Sequence, residues 1–318
     1  MRRLTLAGAA FAAALTASSA SAQTELKIMA PAAPGGGWDQ TARAMQQALV
    51  AEKLVRSVQV TNVAGAGGSV GLAQFVNAAK GDGNQLMVNG FVMVGSLLMN
   101  KSPVTLEQVT PIARITQETQ VIVVPANSPI KSAKDLAAAV KADVAKVTFA
   151  GGSAGGVDHI MAALFVGAAG AEAAKVNYIP FSGGGESLAA LLGGKVTAGV
   201  SGVAEYDGQI KSGKLRAIGV TSAERIPGVD IPTFKEQGID LVIANWRSVV
   251  APPGITPEQK KNLTELVTKM VNSTAWKDVL KQKGWDDAFL AGDAFEKFLK
   301  DEQTRVNNVL KSVGLVKS

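Results

Sequence analysis

Pro34-Gly35-Gly36-Gly37-Trp38-Asp39 joins residues 25–30, which alternate between polar and apolar, to residues 41–53, where apolar side chains recur at helical spacing. The alternation predicts a half-buried strand, and the spacing predicts a helix that Asp39 or Thr41 caps. Three glycines at this junction let backbone N–H groups approach a ligand, and the start of a helix adds partial positive charge. The stretch therefore predicts an anion-binding loop between a strand and a helix.

The same order of strand, small-residue loop and helix recurs along the chain. Further glycine-rich loops follow predicted strands at residues 64–69, 151–156 and 182–185. Strands that alternate with helices predict parallel α/β sheets, whose ligands bind beyond the carboxyl ends of the strands. Because the four loops fall into two groups, 34–69 and 151–185, we expect two α/β lobes that face each other across a cleft.

The N-terminus has the features of a cleaved signal peptide. A basic start, Met1-Arg2-Arg3, precedes an apolar stretch at residues 4–17 and the small residues Ala20-Ser21-Ala22. The stretch is too short for a transmembrane helix, which needs roughly 20 apolar residues. The chain has no cysteine, which excludes disulfides and thiol chemistry. We expect a signal peptide over residues 1–22 and a periplasmic mature protein.

The net charge of the mature chain is small. Without the signal peptide it has 30 Lys and Arg against 26 Asp and Glu, a formal net charge of +4. No dense basic stripe with aromatic residues is present, so we expect no nucleic-acid partner. One histidine and no cysteine argue against a zinc site, and no nucleotide-binding motif occurs. We expect no metal and no cofactor.

The sequence changes character after Pro253. Thr256 and Pro257 form a strong helix start, and charged amphipathic helices continue to about Lys311. Because no further strand, loop and helix cycle is predicted there, these helices should pack back against the first lobe. We predict one discontinuous lobe and one inserted lobe, which comprise residues 23–123 with 247–318, and residues 124–246.

One segment also matches a catalytic motif. Gly151-Gly152-Ser153-Ala154-Gly155 has the G-x-S-x-G form of a hydrolase nucleophile loop. The only histidine is His159, and six residues of helix rise about 9 Å, beyond hydrogen-bond reach. An exported serine hydrolase that uses Ser153 is therefore the alternative that we do not favour. We interpret His159 as a helix residue hydrogen-bonded near the loop.

Two aromatic residues and one cation lie at junctions that should face the cleft. We interpret Trp38 and Trp246 as cleft residues on this ground. Arg247 is the best candidate for a charged clamp, since a guanidinium holds a carboxylate with two hydrogen bonds. Its alternative role is an ion pair at the surface or between the lobes.

Four segments, in order along the chain, resemble the Bug/TctC family, the periplasmic substrate-binding proteins of tripartite tricarboxylate transporters: residues 34–43, 64–68, 152–159 and 246–254. The resemblance covers nearly all of the mature chain. It implies an α/β, periplasmic-binding-protein-like fold with a ligand cleft between two lobes and no enzymatic activity. The implied partners are a small carboxylate and membrane permease subunits, and we expect a monomer. A carboxylate sensor would need the same clamp, so transport and sensing stay open.

The resemblance also implies a ligand site in which backbone N–H groups hold a carboxylate. The glycine-tryptophan form of the first loop favours a di- or tricarboxylate such as malate or citrate. Residues 197–201 are neutral where relatives often carry an aspartate, which disfavours an amino-acid ligand because its ammonium group needs a carboxylate partner. The expected ligand-binding residues are Gly36, Gly37, Trp38, Ala66, Gly67, Gly68, Asn89, Ser153, Ala154, Gly155, Gly156, Ser182, Ser201 and Arg247.

Overall fold

The computed structural model of the protein describes residues 25–181 and 184–317. The predicted signal peptide and Ser182 lie outside the described residues. In the described part of the chain, no helix is both long enough and apolar enough to cross a bilayer.

The described residues form ten strands. In chain order they are β1 (Glu25–Ala30), β2 (Ser57–Asn62), β3 (Gln85–Gly90), β4 (Thr110–Pro125), β5 (Thr148–Gly151), β6 (Asn177–Pro180), β7 (Ala198–Gly202), β8 (Leu215–Val220), β9 (Ala244–Ala251) and β10 (Leu290–Ala291). The β-branched run at residues 121–124 predicts a buried strand that stops at Pro125. The structure instead has β4, a strand of 16 residues that begins at Thr110, and this is the largest difference from the sequence prediction.

The described residues also form ten α-helices. They are α1 (Gly37–Ala51), α2 (Ser69–Ala78), α3 (Phe91–Met99), α4 (Ala133–Ala142), α5 (Val157–Ala168), α6 (Gly184–Leu192), α7 (Val203–Lys211), α8 (Pro257–Asn272), α9 (Thr274–Lys283) and α10 (Gly292–Ser312). The start of α8 is as predicted: the Thr256 hydroxyl accepts from the Gln259 N–H at 3.1 Å, and Pro257 is the first helical residue.

The strands form two sheets that share β4. In the first sheet β1 pairs in parallel with β2 and β3, and β9 pairs antiparallel with both β3 and the first part of β4. In the second sheet β5 pairs in parallel with β6 and β7, while β7 and β8 pair antiparallel with the second part of β4. The prediction of purely parallel sheets is therefore wrong for the central strands, because β4 and β9 run in opposite directions between the sheets.

The crossing between the sheets is a paired ribbon. Residues 110–119 of β4 pair with β9, from Thr110 opposite Ala251 to Thr119 opposite Ala244. From Gln120 onward β4 pairs instead with β7 and β8. Every residue from 121 to 124 is fully buried, which is why this run reads as continuous β-branched sequence rather than as an alternation.

The C-terminal helices pack on the first sheet and its helices. Helix α10 contacts α3 and β4, α8 contacts β4, and α9 contacts α1. Burial of Leu263, Val267, Phe295, Leu299 and Val306 along one face of α8 and of α10 explains the amphipathic pattern. The short strand β10, which pairs with β4 just before α10, was not predicted.

Candidate functional site

A cavity of about 330 Å³ lies between the loops at the ends of the two sheets. We call the lining residues of 31–38 and 64–68 the glycine wall; they come from the loops that precede α1 and α2. We call the lining residues of 118–120, 152–158 and 201–205 the acidic wall; they come from β4, from the loop and first turn of α5, and from the end of β7 and the first turn of α7. Val92, on α3, and Asn245 and Arg247, on β9, complete the lining.

The glycine wall begins at the N-terminus of α1. The helix starts at Gly37 with Gly36 as its N-cap, and no side chain caps it. The expectation that Asp39 or Thr41 caps the helix is therefore wrong. Asp39 instead reaches back to accept from the Gly35 N–H at 2.7 Å, and the Thr41 hydroxyl donates to the Gly37 carbonyl at 2.8 Å. The first turn consequently presents backbone N–H groups beside the cavity without a capping side chain over them.

Asp39 shapes the loop rather than binding a ligand. Besides Gly35, its carboxylate accepts from Asn62 at 2.9 Å and from Arg43 at 3.0 Å. Burial pushes the pKa of Asp39 upward, but these hydrogen bonds and the Arg43 charge outweigh it and lower the pKa. The carboxylate is thus held ionised under the loop.

The second loop of the glycine wall has a backbone that only glycine adopts easily. Gly67 has φ of +62° and Gly68 has φ of +94°. A Cβ on Gly67 would lie 2.2 Å from the Oγ of Ser96, and one on Gly68 would lie 2.8 Å from the ring of Trp38. The loop therefore packs against α3 on one side and against Trp38 on the other, and its backbone comes close to the cavity.

Arg247 lies at the junction between the two walls. Its guanidinium is buried and forms a short ion pair with Glu118, which also accepts from the Asn245 amide at 3.0 Å. The same guanidinium lies 4.7 Å from the ring centroid of Trp285 and beside Gly37, where a Cβ would be 2.9 Å from Nη2. Arg247 therefore forms an ion pair, which is the second of the two roles considered for it, and it also lines the cavity.

The acidic wall carries two more carboxyl groups. Asp158 accepts from the Gly152 N–H at 2.7 Å, and Glu205 accepts from the Ser201 hydroxyl at 2.9 Å. Burial raises the pKa of Asp158 to about 7; the Gly152 N–H opposes this, and the negative charges of Glu205 and Glu118 add to it. Burial, and then the charge of Glu118, also raises the pKa of Glu205. Three carboxyl groups therefore share one cavity with a single guanidinium.

Most of the expected ligand-binding residues line this cavity. Those that do so are Gly36, Gly37, Trp38, Ala66, Gly67, Gly68, Ser153, Gly156, Ser201 and Arg247. They come from five separate segments, which the two sheets bring to one place.

Three expected residues lie away from the cavity lining. Asn89 is fully buried in β3, where its side chain accepts from the Ser248 hydroxyl at 2.7 Å. The Ala154 carbonyl accepts from the Ser96 hydroxyl at 3.1 Å, and the carbonyl oxygen of Gly155 packs against Gly95. Ala154 and Gly155 therefore face α3 and join the two groups of loops directly.

Trp246 was also misplaced by sequence reasoning. Its ring packs edge-on against Phe298 at 5.3 Å, and its Nε1 donates to Glu302 at 2.7 Å. Neighbouring strand residues point to opposite faces, so Arg247 faces the cavity and Trp246 faces α10. The interpretation of Trp246 as a cleft residue is wrong, whereas Trp38 does line the cavity.

Sequence reasoning missed the polar residues Glu118, Gln120, Asp158, Glu205 and Asn245. Asp158 was detectable, because it lies in the first turn of the helix after a glycine-rich loop. The residues on β4 and β9 gave no such signal, since the predicted strand began only at residue 121.

His159 has a structural role. Its Nδ1 accepts from the Gly155 N–H at 3.1 Å, and its ring stacks on Tyr178 at 4.3 Å. Burial lowers the pKa of His159 to about 4, so the ring is neutral at physiological pH. This matches the interpretation of a helix residue hydrogen-bonded near the loop. Among the residues that the structure describes, no group of three or more His, Cys, Asp and Glu is arranged to hold a metal ion.

Comparisons with known proteins match the chain to one family. The family model described as "Tripartite tricarboxylate transporter family receptor" (TctC) matches residues 41–315. The chain is 30% identical to protein BugT of Bordetella pertussis, over 98% of each chain.

Solved structures share the fold. The periplasmic binding protein BugD superposes with a TM-score of 0.80 at 24% identity, over 92% of this chain and 99% of that one. A TctC solute-binding protein from Polaromonas gives 0.68 at 28% identity, over 90% and 98%. MatC of Rhodopseudomonas palustris with bound malate gives 0.77 at 23% identity, over 90% and 98%. The α/β, periplasmic-binding-protein-like fold is therefore confirmed.

The matched family and these neighbours consist of receptors and substrate-binding proteins, not enzymes. The alternative of a serine hydrolase at Ser153 is therefore wrong, in agreement with the engagement of His159 by Gly155.

Proposed function

Because the chain belongs to the tripartite tricarboxylate transporter receptor family, we propose that it captures a small di- or tricarboxylate outside the cytoplasm and delivers it to a membrane permease. The matured, periplasmic protein would act as a monomer that carries its ligand to the permease subunits. The malate in the R. palustris neighbour supports a ligand of this size and class.

The observation that carries the proposal is the uncapped start of α1 at the edge of the cavity. Backbone N–H groups at Gly37 and Trp38 lie where a helix N-terminus attracts negative charge, whereas the Gly36 N–H donates to the Ala33 carbonyl at 3.0 Å. The glycine loop before α2 adds a second stretch of accessible backbone on the same wall. A cavity of about 330 Å³ is of the size that small-molecule ligands occupy.

The two lobes would close on the ligand like a clamp. Residues 23–123 with 247–318 form one lobe in this proposal, and residues 124–246 form the other. Since β4 and β9 are the strands that pass between the sheets, bending near Thr119 and Ala244 would change the width of the cavity. A permease would then recognise the closed form.

The test is a thermal-melting panel on the mature protein with citrate, malate, succinate, fumarate, aspartate and glutamate. A ligand at 100 times its dissociation constant stabilises a protein by about 2.7 kcal/mol, which corresponds to a shift of a few degrees. We expect such a shift with one or more of these carboxylates and none with the matched diamides, such as succinamide. Absence of a shift with every carboxylate would remove the proposed function.

A further inference from the structure

The acidic wall gives the cavity more negative than positive charge. Glu118, Asp158 and Glu205 line it, whereas Arg247 is the only Lys or Arg in its lining as far as the structure describes the chain, and it is already paired with Glu118. Lys283 of α9 borders a second cavity of about 530 Å³, which meets the first at Glu118, Glu205 and Arg247. A ligand with anionic groups at both ends would therefore place one of them against carboxyl groups.

A buried acceptor on the same wall also lacks a donor. Gln120 is fully buried and lines the cavity, and its Oε1 has no hydrogen-bond partner among the described residues. Its amide nitrogen lies 3.5 Å from the carbonyl oxygen of Glu118, which orients the amide because the opposite orientation would bring two oxygens together. A buried acceptor without a partner is destabilising, so a ligand that donates a hydrogen bond there gains affinity.

The two walls thus have opposite requirements. The glycine wall offers backbone N–H donors to an anion, while Glu205, Asp158 and Gln120 offer acceptors to a donor or a cation. Charge-assisted hydrogen bonds between an ammonium group and carboxylates are the strongest interactions that such acceptors make.

We propose that the natural ligand is a carboxylate that also bears a cationic nitrogen, with its carboxylate on the glycine wall and its nitrogen on the acidic wall between Glu205, Asp158 and Gln120. This inference rests on the proposed function and changes its ligand class to carboxylates that bear an amino group, amino dicarboxylates among them. It reverses the expectation drawn from the neutral segment 197–201. The carboxylate missing from that segment is supplied by Glu205, four residues beyond Ser201 and hydrogen-bonded to it.

The pH dependence of binding distinguishes the two ligand classes. The charged and titratable groups around Asp158 and Glu205 are Glu118, Arg247, Tyr178 and Tyr206, with Lys283 on the far side of Glu205. Burial raises the pKa of Asp158 to about 7, so this group ionises across the neutral range. An amino-bearing ligand should bind more tightly at pH 8 than at pH 6, because it needs the ionised carboxylates. A plain dicarboxylate should show the reverse.

The experiment is isothermal titration calorimetry on the mature protein with ligand pairs that differ only in the amino group: aspartate and succinate, glutamate and glutarate, 4-aminobutyrate and butyrate. We expect the amino member of at least one pair to bind about tenfold or more tightly than its partner. If succinate or glutarate binds as tightly as its amino partner or more so, this inference is overturned while the proposed function stands. If no member of any pair and no tricarboxylate binds, the proposed function fails as well.

A variant that removes the charge of Glu205 tests whether this residue binds the cationic nitrogen of the ligand. Glu205→Gln should weaken the binding of the amino-bearing ligand about tenfold or more. It should leave unchanged, or strengthen, the binding of the paired ligand that lacks the amino group. Glu224→Gln, on an exposed residue that follows β8, is the matched control and should change neither. Equal weakening of both ligands by Glu205→Gln, in a protein that melts normally, would show a merely structural role and contradict the inference.

Discussion

The glycine wall and the acidic wall face the same cavity but are built by different means. The glycine wall uses backbone groups, held by positive φ angles at Gly67 and Gly68 and by an uncapped helix start. The acidic wall uses side chains whose carboxyl groups each have one or two protein donors. Donors that belong to the backbone cannot titrate, whereas carboxyl groups can. The glycine wall should therefore be insensitive to pH, whereas the acidic wall should be sensitive to it.

The largest loss of stability is expected for substitution of Arg247, where the two walls meet. Arg247→Gln leaves Glu118 buried without its cation, and breaking a buried ion pair in this way costs about 3–5 kcal/mol of unfolding free energy. Urea denaturation of the ligand-free protein measures the loss.

Two further variants sharpen this measurement. Arg225→Gln removes a cation from an exposed pair with Glu236 and should cost only about 0–1 kcal/mol. The double variant Arg247→Gln with Glu118→Gln should recover part of the loss, since no unpaired charge remains. If Arg247→Gln is no more damaging than Arg225→Gln, the ion pair does not hold the walls together.

An intermediate loss of stability is expected for substitution of Gly67 on the glycine wall. In Gly67→Ala the new Cβ would lie 2.2 Å from the Ser96 Oγ, and such overpacking costs about 1–3 kcal/mol in addition to the strain of positive φ. Gly170→Ala is the matched control, because Gly170 has φ of +84° with nothing within 4 Å of the new atom. Thermal melting of both variants separates the two costs, and equal losses would show that Ser96 makes room.

The smallest effect is the pH dependence of stability that Asp158 contributes on the acidic wall. In the folded protein the pKa of Asp158 is about 7, above its ordinary value of 3.8, so between these values the folded state binds more protons than the unfolded state. Stability from this group is therefore present at low pH and falls as the pH rises through 7, by about 1 kcal/mol between pH 6 and pH 8.

Asp158→Asn should remove this part of the pH dependence, because the amide oxygen still accepts from Gly152 but does not titrate. Unfolding free energies measured at pH 6 and pH 8 give the comparison, with the exposed Asp240→Asn as control. A variant with the same slope as the parent protein would show that Asp158 is not the titrating group.

The parts of the fold that were predictable rest on local patterns. The glycine-rich loops after β1, β2 and β5, and the helix start at Thr256, were recognised because φ preferences, caps and apolar spacing act within a few residues. The run of β4 before residue 121 and the antiparallel direction of β9 were not predicted, since both depend on which strands become neighbours.

The sequence by itself determined the glycine-rich loops, the strands that precede them and the helices that follow them, and it placed the backbone donors of the glycine wall. Tertiary structure alone decided the acidic wall, because Glu118, Asp158 and Glu205 lie on three separate elements and meet only when β4, α5 and α7 pack together. It also decided that Arg247 faces the cavity and Trp246 the core. The direction of a strand residue depends on what covers each face of the sheet, and no local pattern carries that information.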